Sequence, residues 1–388
     1  MSEIDKLAHS PLDLARELIR RPSITPADAG ALDVLQTALA SLGFRCTRLP
    51  FEDIDNLYAE IGEGIPHLCF AGHTDVVPPG DEAEWAAPPF DAIVSEGKLW
   101  GRGASDMKAA IAAFASAAAR AVKEGKVKGK LSFLITGDEE GKGVNGTVKV
   151  LEWLREQNIK IDHCLVGEPS NPDAMGDMIK VGRRGSINCW LTVTGKQGHV
   201  AYPDRAKNPV PALMRKLLRL SETPLDEGYE RFQPSNLEVT NIHIGNEAHN
   251  VIPAKATARF NVRFNPNWTG KSIEDWLKSQ IEPIAKETNA RYTLDCVTSG
   301  EAFLTTDMKF IGVLSACVEE KTGRKPDLST TGGTSDARFI KDYAPVAEFG
   351  LVGATMHQVD EHVAVGDIEL LADIYEAVIA RYFETFAQ

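Results

Sequence analysis

The stretch Pro66–Val77 (PHLCFAGHTDVV) decides the fold class, because it has the pattern of a buried strand that ends in polar groups. A short apolar run closed by His73 and Asp75 is typical of a strand covered on both faces in a parallel sheet. Outward from it, Lys130–Gly137 and Ile161–Gly167 have the same character, and segments of helical spacing lie between them. Strands that alternate with helices predict an α/β domain with a mainly parallel sheet and helices on both faces.

The chain changes character after residue 181. Arg183–Gly195 alternates polar and apolar residues, which predicts a strand with one face exposed to water. From residue 182 to residue 295 the predicted elements follow the order β-α-β-β-α-β, the layout of a ferredoxin-like α+β domain. The alternation of helix and strand then resumes. We therefore expect a discontinuous larger domain, residues 1–181 and 296–388, interrupted by an inserted domain of residues 182–295.

Composition excludes several classes of protein. The 388 residues include 42 basic and 55 acidic ones, and a net charge of −13 is unlike that of a nucleic-acid-binding or membrane-surface protein. No apolar run reaches the roughly 18–20 residues of a membrane span, and no signal peptide is visible. The six cysteines are scattered, which is typical of buried thiols in a reduced cytosolic protein. We expect a cytoplasmic protein with no nucleic-acid or membrane partner.

Acidic residues and histidines recur at the ends of the predicted strands and at the starts of the following helices. They are His73, Asp75, Asp106, Glu139, Glu140 and Glu168, joined near the C-terminus by His357. Ligands of open α/β sheets bind beyond the carboxyl ends of the strands, so we expect these side chains to converge. Converging carboxylates raise one another's pKa unless a cation neutralises them. A mixture of imidazole and carboxylate favours zinc, manganese or cobalt over an all-oxygen calcium site.

The charge of this cluster fits two divalent ions. Asp106, Glu140 and Glu168 supply three negative charges against the four positive charges of two such ions, and a bridging hydroxide supplies the fourth. The balance is that of a dinuclear hydrolase. Glu139 and Glu140 are adjacent and cannot easily both be ligands, so one can ligate while the other acts as a general base.

Each residue also has an ordinary structural interpretation. His73 alone is more often a hydrogen-bonded core histidine, and Asp106 alone would serve as the N-cap of the alanine-rich helix after it. Their recurrence at successive strand ends favours the metal site. Asp75, two residues after His73, can accept a hydrogen bond from the other ring nitrogen. The GxGxxG pattern at Gly141–Gly146 predicts no dinucleotide site, because the acidic residues before it would repel phosphate.

Six motifs, in order along nearly the whole chain, carry a family resemblance. They are HTDVVP at 73–78, GRGASDMK at 101–108, GDEEG at 137–141, VGEPS at 166–170, GHVAYP at 198–203 and MHQVDEHV at 356–363. The chain resembles the dinuclear zinc amidohydrolases and metallopeptidases that include carboxypeptidase G2 and acetylornithine deacetylase. VGRRGSI at 181–187, NVIPA at 250–254 and GGTSDARFI at 332–340 are similar to the desuccinylase branch of that family.

The resemblance implies a dinuclear centre with two Zn²⁺ ions per subunit, for which Co²⁺ can substitute. His73 and Glu168 are implied to hold one ion. Glu140 and His357 are implied to hold the other, and Asp106 bridges the two. The family also has a cis peptide bond directly after this aspartate, so we expect one here.

The resemblance also implies the residues that act on the substrate. Glu139 would take a proton from the bridging water and pass it to the leaving amine, and Asp75 joins it as an implied catalytic residue. His199, in the inserted domain, is implied to reach the active site of the partner subunit in a homodimer and to stabilise the oxyanion there. His362 is the alternative ligand in the last motif, but the family pattern favours His357.

Eight further positions match substrate contacts of the desuccinylases. They are Arg183, Ser186, Tyr202, Asn250, Arg263, Gly333, Thr334 and Ser335. An arginine can bind a carboxylate through two parallel hydrogen bonds, and a succinyl group carries one free carboxylate. His249 departs from the asparagine expected just before NVIPA, at a position that contacts the partner subunit in the family.

The implied activity is hydrolysis of N-succinyl-LL-2,6-diaminopimelate to succinate and LL-2,6-diaminopimelate, in lysine and diaminopimelate biosynthesis. The inserted domain is expected to form the homodimer and to close over this small-molecule substrate. Two alternatives remain open: another N-acyl amino acid deacylase such as acetylornithine deacetylase, and a non-catalytic metal-binding relative. The intact Glu139 favours an enzyme, because binding alone needs no base.

Overall fold

The computed structural model describes residues 7–387, which form two compact units. The first unit contains the chain up to Val181, the segment Thr305–Ser329 and the chain from Ser335 onward. The second unit contains Gly182–Leu304 and the short segment Thr330–Thr334.

A mixed sheet of eight strands forms the centre of the first unit. Its strands, in spatial order, are β1 (Arg45–Arg48), β2 (Leu57–Gly62), β6 (Lys130–Thr136), β3 (His67–His73), β7 (His163–Val166), β18 (Val346–Glu348), β8 (Met178–Lys180) and β17 (Asp327–Ser329). The four central strands, β6, β3, β7 and β18, run parallel, whereas β1, β2 and β8 have antiparallel neighbours. Every residue of β3 is buried, as expected of a strand covered on both faces. The α/β prediction is confirmed.

Helices cover this sheet. They are α1 (Pro11–Ile19), α2 (Ala31–Ser41), α3 (Ala109–Lys123), α4 (Thr147–Glu156), α7 (Met308–Thr322), α8 (Ala337–Ile340) and α9 (Val365–Phe386). The alanine-rich α3 is buried over most of its length between α1 and α9, and its small side chains permit that close packing. Its Phe114 stacks on Phe70 of β3 with the ring centroids 4.2 Å apart. This contact places α3 against the strand that ends at His73.

A smaller antiparallel sheet in the first unit joins two distant parts of the chain. It consists of β4 (Ile93–Ser95), β5 (Lys98–Trp100) and β19 (His362–Ala364). β19 pairs with β5, so that His362 lies opposite Trp100. This strand pairing therefore connects the segment before residue 101 to the segment that follows His357.

The second unit is an antiparallel sheet with two helices. Its strands, in spatial order, are β12 (Asn236–His243), β14 (Lys255–Phe264), β10 (Gly185–Thr194) and β15 (Arg291–Gly300), and its helices are α5 (Val210–Glu222) and α6 (Gly270–Glu287). Two short ladders complete it, β9 (Gly182–Arg183) with β16 (Phe303–Leu304) and β11 (Gly198–His199) with β13 (Val251–Ile252). The element order and strand pairing are those of the predicted ferredoxin-like domain. Residue 295, the expected end of the inserted domain, lies inside β15, and the chain leaves the second unit only after Leu304.

The alternation of residues along β10 explains its placement. Ile187, Leu191 and Val193 are buried in a core that includes Leu277 of α6. Trp190, between them, faces the other side of the sheet and is 40% exposed. The period-two pattern thus separates a packed face from an exposed one.

The cysteines are free thiols, four of them buried and two partly buried, as the sequence predicted. Within residues 7–387, no helix combines the length and the apolar character needed to cross a membrane.

Candidate metal centre and active site

The candidate ligands follow the carboxyl ends of three neighbouring strands, β6, β3 and β7. His73 is the last residue of β3, Glu140 follows β6, and Glu168 follows β7. Asp106 lies in a tight turn directly before α3 and is joined to Met107 by the expected cis peptide bond. Because α3 begins only at residue 109, Asp106 does not cap the helix and its carboxylate is free to face the strand ends.

Two sets of donor atoms share the carboxylate of Asp106. Its Oδ1 lies 3.1 Å from Nε2 of His73, which is 3.6 Å from Oε1 of Glu168. Its Oδ2 lies 3.2 Å from Nε2 of His357, which is 2.7 Å from Oε1 of Glu140. We call His73, Asp106 and Glu168 the first donor set and Asp106, Glu140 and His357 the second. One carboxylate between two imidazole–carboxylate pairs can hold two divalent cations.

Asp75 holds the surrounding main chain in place. Its carbonyl oxygen lies 2.9 Å from Nδ1 of His73, which leaves Nε2 facing Asp106. Its carboxylate accepts hydrogen bonds from the amides of Glu139 and Glu140, at 3.3 and 3.0 Å. The hydrogen bond expected from His73 to this carboxylate is therefore made to the carbonyl instead, since Oδ1 is 3.6 Å from Nδ1. The carboxylate is already engaged by the two amides.

The acidic surroundings favour the charged form of both imidazoles. Burial opposes the charge of His73, but Asp106 and Glu168 outweigh burial and raise the pKa of His73 well above its ordinary value. Hydrogen bonds to Asp106 and Glu140 raise the pKa of His357 to about 10. Burial would raise the pKa of Asp106, but the hydrogen bonds from both histidines hold it below its ordinary value. The cluster favours positive charge where a metal ion would bind.

Two buried carboxyl groups have raised pKa values. Burial, reinforced by Asp106, raises the pKa of Glu168 well above its ordinary value. Burial also raises the pKa of Glu139 to about 8, with neighbouring carboxylates including Asp336 adding to the effect and His73 opposing it. A carboxyl group that titrates near neutral pH can both accept and release a proton, which is what a general acid and base requires.

The two histidines of the last motif have different surroundings. His357 lies in the second donor set, with a positive φ of 61° and a half-exposed side chain. His362 lies in β19, where its ring packs on Trp100 with the centroids 4.2 Å apart and its Nε2 is 3.0 Å from Nζ of Lys98. The geometry thus places His357, and not His362, beside Asp106.

The glycine-rich segment Gly141–Gly146 wraps around a carboxylate. Asp138 is buried, and it accepts hydrogen bonds at 2.8–3.0 Å from the amides of Lys142, Val144 and Asn145. These amides are the groups that a phosphate would need. Their engagement by Asp138 agrees with the expectation that this segment is not a dinucleotide site.

His199 lies on the surface of the second unit. The amide of Ala201 donates a hydrogen bond to its Nδ1 at 3.1 Å, so the neutral ring carries its proton on Nε2. Tyr202 is exposed, with its ring centroid 5.7 Å from that of His199. The carbonyl of Asn250 accepts a hydrogen bond from the amide of Val200 at 3.0 Å. Three of the predicted residues, His199, Tyr202 and Asn250, therefore share one turn region.

Two predicted arginines have different environments in the second unit. Arg183 is buried, and its Nη1 donates a hydrogen bond to the carbonyl of Gly333 at 3.0 Å. Ser186 is buried and lies opposite Arg263 across β10 and β14. Burial, aided by the positive charge of Arg184, lowers the pKa of Arg263. A half-buried guanidinium beside another cation is a favourable place for an anionic ligand.

The remaining predicted positions lie at the junction of the two units in the sequence. Thr334 is the last residue of its segment in the second unit, and Ser335 begins a segment of the first. Ser335 is buried, and its hydroxyl donates a hydrogen bond to Glu348 at the end of β18. The side chain of Ser335 is thus held by the central sheet.

Two residues that contact the site were absent from the predicted positions. Glu361 is buried and accepts hydrogen bonds from the amides of Ser105 and Asp106. Arg102 forms a buried ion pair with Glu361 at 2.6 Å. Their sequence signal was a pair of opposite charges in two motifs that already contained the candidate ligands Asp106 and His357.

Comparison with known proteins identifies relatives along nearly the whole chain. A succinyl-diaminopimelate desuccinylase of Maricaulis maris is 57% identical over 385 residues, which cover 99% of each chain. The protein of that name in Caulobacter vibrioides is 58% identical over 377 residues, 97% of each chain. A solved structure of Bacillus subtilis YXEP, described as a dinuclear metal binding peptidase from M20 family, is similar with a TM-score of 0.74. It covers 98% of this chain and 100% of its own at 16% identity, which shows a common fold.

The family model of peptidase family M20/M25/M40 matches residues 69–381. This match includes every residue of both donor sets. The chain belongs to peptidase family M20/M25/M40.

Proposed function

We propose that the protein hydrolyses N-succinyl-LL-2,6-diaminopimelate to succinate and LL-2,6-diaminopimelate, in lysine and diaminopimelate biosynthesis. The observation that carries the proposal is the carboxylate of Asp106 between two donor sets, with Glu139 next to them. The names of the Maricaulis and Caulobacter relatives support the choice of substrate. The same arrangement suits amide hydrolysis in general, so the acyl group is decided by residues that bind the succinyl carboxylate.

The donor chemistry supports Zn²⁺ in both sets, with Co²⁺ able to replace it. Each set combines an imidazole with carboxylates, and ligand atoms drawn from both sets, those of His73, Asp106 and Glu140, lie within 4.8 Å of one another. When bound, two such ions polarise the amide carbonyl and activate a water molecule. The two oxygens of Asp106 face different imidazoles, so this side chain would hold both ions.

Glu139 is the proposed general acid and base. Its carboxylate takes a proton from the attacking water and delivers it to the amine nitrogen that leaves, so one group serves both halves of the reaction. Asp75 holds the Glu139 amide and thereby positions this side chain. His199 of the partner subunit would donate its Nε2 proton in a hydrogen bond to the oxyanion.

Metal binding is expected to release protons. The acidic surroundings raise the pKa values of His73 and His357, which favours the protonated form of both rings in the metal-free site. A metal ion binds the neutral ring, so each proton must leave when an ion binds. Zinc affinity should therefore rise with pH until the pH passes the pKa of His357, about 10. Calorimetric titration with Zn²⁺ in two buffers of different ionisation enthalpy checks this, and a binding heat independent of the buffer would contradict it.

Arg263 is the guanidinium proposed to bind the succinyl carboxylate, because it is half-buried beside the positive charge of Arg184. Replacing Arg263 by glutamine is expected to raise KM for the succinyl substrate by about 10–100-fold, the value of a charged hydrogen bond, with a smaller change in kcat. Arg259→Gln, four residues earlier on the same strand at an exposed position, is the matched control. Steady-state kinetics of the two variants check the prediction, which is wrong if Arg259→Gln has the larger effect.

The second unit offers a surface for a second copy of the chain. β12 lies at the edge of its sheet, and the exposed Ile242 lies on it. Met214 and Leu218, one helical turn apart on α5, are 60% and 58% exposed, and α5 packs against β12. An open strand edge beside an exposed apolar helix face supports a homodimer through the inserted domain.

A homodimer in which His199 serves the partner subunit predicts complementation between two defective variants. Glu139→Gln and His199→Ala should each lose activity as homodimers. Purified mixed dimers should recover up to about one half of the native activity, because each mixed pair has one complete site out of two. Co-expression with two different tags, followed by assay of doubly tagged dimers, checks this. Inactive mixed dimers would place His199 outside the partner's site.

The test of the proposed function is hydrolysis of N-succinyl-LL-diaminopimelate and of N-acetylornithine by chelated and zinc-restored protein. Zinc-dependent cleavage of the succinyl substrate alone is expected. Preference for N-acetylornithine would retain the metal centre and reject the succinate assignment. A protein that binds two ions and cleaves neither substrate would favour a non-catalytic relative.

We also propose that the protein works in the cytoplasm. The free, largely buried thiols support this location, because they are typical of proteins in a reducing compartment.

A further inference from the structure

A buried ion pair adjoins the metal centre without belonging to either donor set. The side chain of Glu361 is fully buried, Arg102 is 2% exposed, and the Nη1 of the arginine lies 2.6 Å from Oε2 of the glutamate. The ring of Trp85 covers the guanidinium, with its centroid 5.3 Å from the Cζ atom. Removing two charges from water is unfavourable, so a pair of this kind is weak evidence for stability and points to a role beyond folding.

Glu361 contacts the main chain that carries the bridging carboxylate. Its Oε1 accepts hydrogen bonds from the amides of Ser105 and Asp106, at 2.8 and 3.1 Å. Its own carbonyl accepts a hydrogen bond from the amide of Gly101 at 2.9 Å. Without Glu361, the buried amides of Ser105 and Asp106 would lose this hydrogen-bond acceptor. Glu361 therefore fixes the main chain at Asp106.

Arg102 contacts the main chain that carries the histidine of the second donor set. Its Nη1 donates a hydrogen bond to the carbonyl of Gln358 at 3.1 Å, and its Nη2 reaches the carbonyl of His357 at 3.5 Å. His357 has a φ of 61°, in the left-handed region that residues with a side chain adopt uncommonly. The planar fork of arginine reaches both carbonyls and Glu361 at once, which lysine cannot do.

We propose that Arg102 and Glu361 are positioning residues of the metal centre. The pair joins the peptide of Asp106 to the peptide of His357. It thereby fixes the distance between Oδ2 of Asp106 and Nε2 of His357, on which the second donor set depends. The first donor set depends on it less, because the pair contacts the main chain of only one of its members, Asp106, whereas it contacts the main chain of both Asp106 and His357 in the second set. The inference rests on the proposed function for the presence of the metals, and it names residues that prepare the site for the second ion.

The experiment measures the affinity of each ion in variants of the pair. Arg102→Lys keeps the buried charge and loses the fork, and Glu361→Gln keeps the size and loses the ion pair. The double variant Arg102→Met, Glu361→Met replaces both charges with apolar side chains, an exchange that buried ion pairs often tolerate. Glu60→Gln is the matched control, since Glu60 is also a buried carboxylate in an ion pair, with Lys130. Zn²⁺ is titrated against a competing chelator, and thermal unfolding is recorded for the metal-free proteins.

We expect the second ion to bind about 10–100-fold more weakly in all three variants of the pair, and the first ion to change by less than about 3-fold. The double variant should still fold when metal-free, at a lower unfolding temperature because the amides of Ser105 and Asp106 lose their acceptor, and it should bind the second ion weakly. The control should bind both ions as the native protein does. A double variant that folds and binds both ions with native affinity would overturn the inference, because the pair would then serve folding alone. A native protein that binds two ions without cleaving the succinyl substrate would reject the proposed function, and the affinities would still decide the inference.

Discussion

Replacing Glu139 by glutamine is expected to lower kcat by about 10²–10⁴-fold, the usual contribution of a general acid and base. Glutamine has the size of glutamate but can neither take a proton from water nor give one to the leaving amine. KM should change little, because the side chain acts on the proton rather than on substrate binding. The measurement is steady-state hydrolysis of N-succinyl-LL-diaminopimelate, with the metal content of the same preparation determined alongside.

The neighbouring glutamate provides the matched control for this substitution. Ligand atoms of Glu139 come within 4.8 Å of His73 and Glu168, so ligation is the competing role for this residue. Glu140→Gln should weaken binding of the second ion, whereas Glu139→Gln should retain both ions. If Glu139→Gln loses an ion and Glu140→Gln retains both, the two roles are exchanged.

Replacing Asp106 by asparagine is expected to weaken the binding of both metal ions. The two oxygens of Asp106 face different imidazoles, at 3.1 and 3.2 Å, and asparagine keeps the shape while losing the negative charge between the ions. Mutating a residue outside the ligand shell typically lowers metal affinity by about 10–100-fold. Removing the charge of a shared ligand should therefore lower the affinity for the second ion by at least about 100-fold. Hydrolysis at limiting zinc should fall in parallel. Competition titration and activity at defined free Zn²⁺ check both effects.

The structure of the metal-free variant separates ligand loss from unfolding. The circular dichroism spectrum of metal-free Asp106→Asn should resemble that of the metal-free native protein, because α3 begins at residue 109 and does not depend on Asp106 as a cap. Excess zinc should restore part of the activity. Native affinity for both ions in this variant would mean that Asp106 does not bridge them.

Much of the fold was predictable because the hydrophobic pattern follows burial. The continuous apolar run before His73 reflects a strand covered on both faces, and the alternation in Arg183–Gly195 reflects a sheet with one packed face. The antiparallel flank formed by β1 and β2 was less apparent. Its first strand is short and only partly buried, so its pattern resembles that of a loop.

The candidate ligands were also predictable, because carboxylates and histidines that recur at successive strand ends would repel or desolvate one another without a cation. The contacts that hold them were not. The carbonyl of Asp75 lies 2.9 Å from Nδ1 of His73, and Arg102 pairs with Glu361 beside a loop in which His357 has a positive φ. Such contacts arise from main-chain conformations that residue type and spacing do not specify. The hydrogen bond that the Ser335 hydroxyl donates to Glu348 was not predictable for the same reason.

The order of the donor sets along the chain has a consequence for biosynthesis on the ribosome. His73, Asp106 and Glu168 all precede the inserted unit in the sequence, whereas His357 follows it. At about 5–20 residues per second, the ribosome needs roughly 10–40 s to add the stretch between Glu168 and His357. During that interval the nascent chain already contains the complete first set but only part of the second. The second ion can bind all of its ligands only after the inserted unit has been synthesised and the C-terminal segment with His357 has packed against the central sheet.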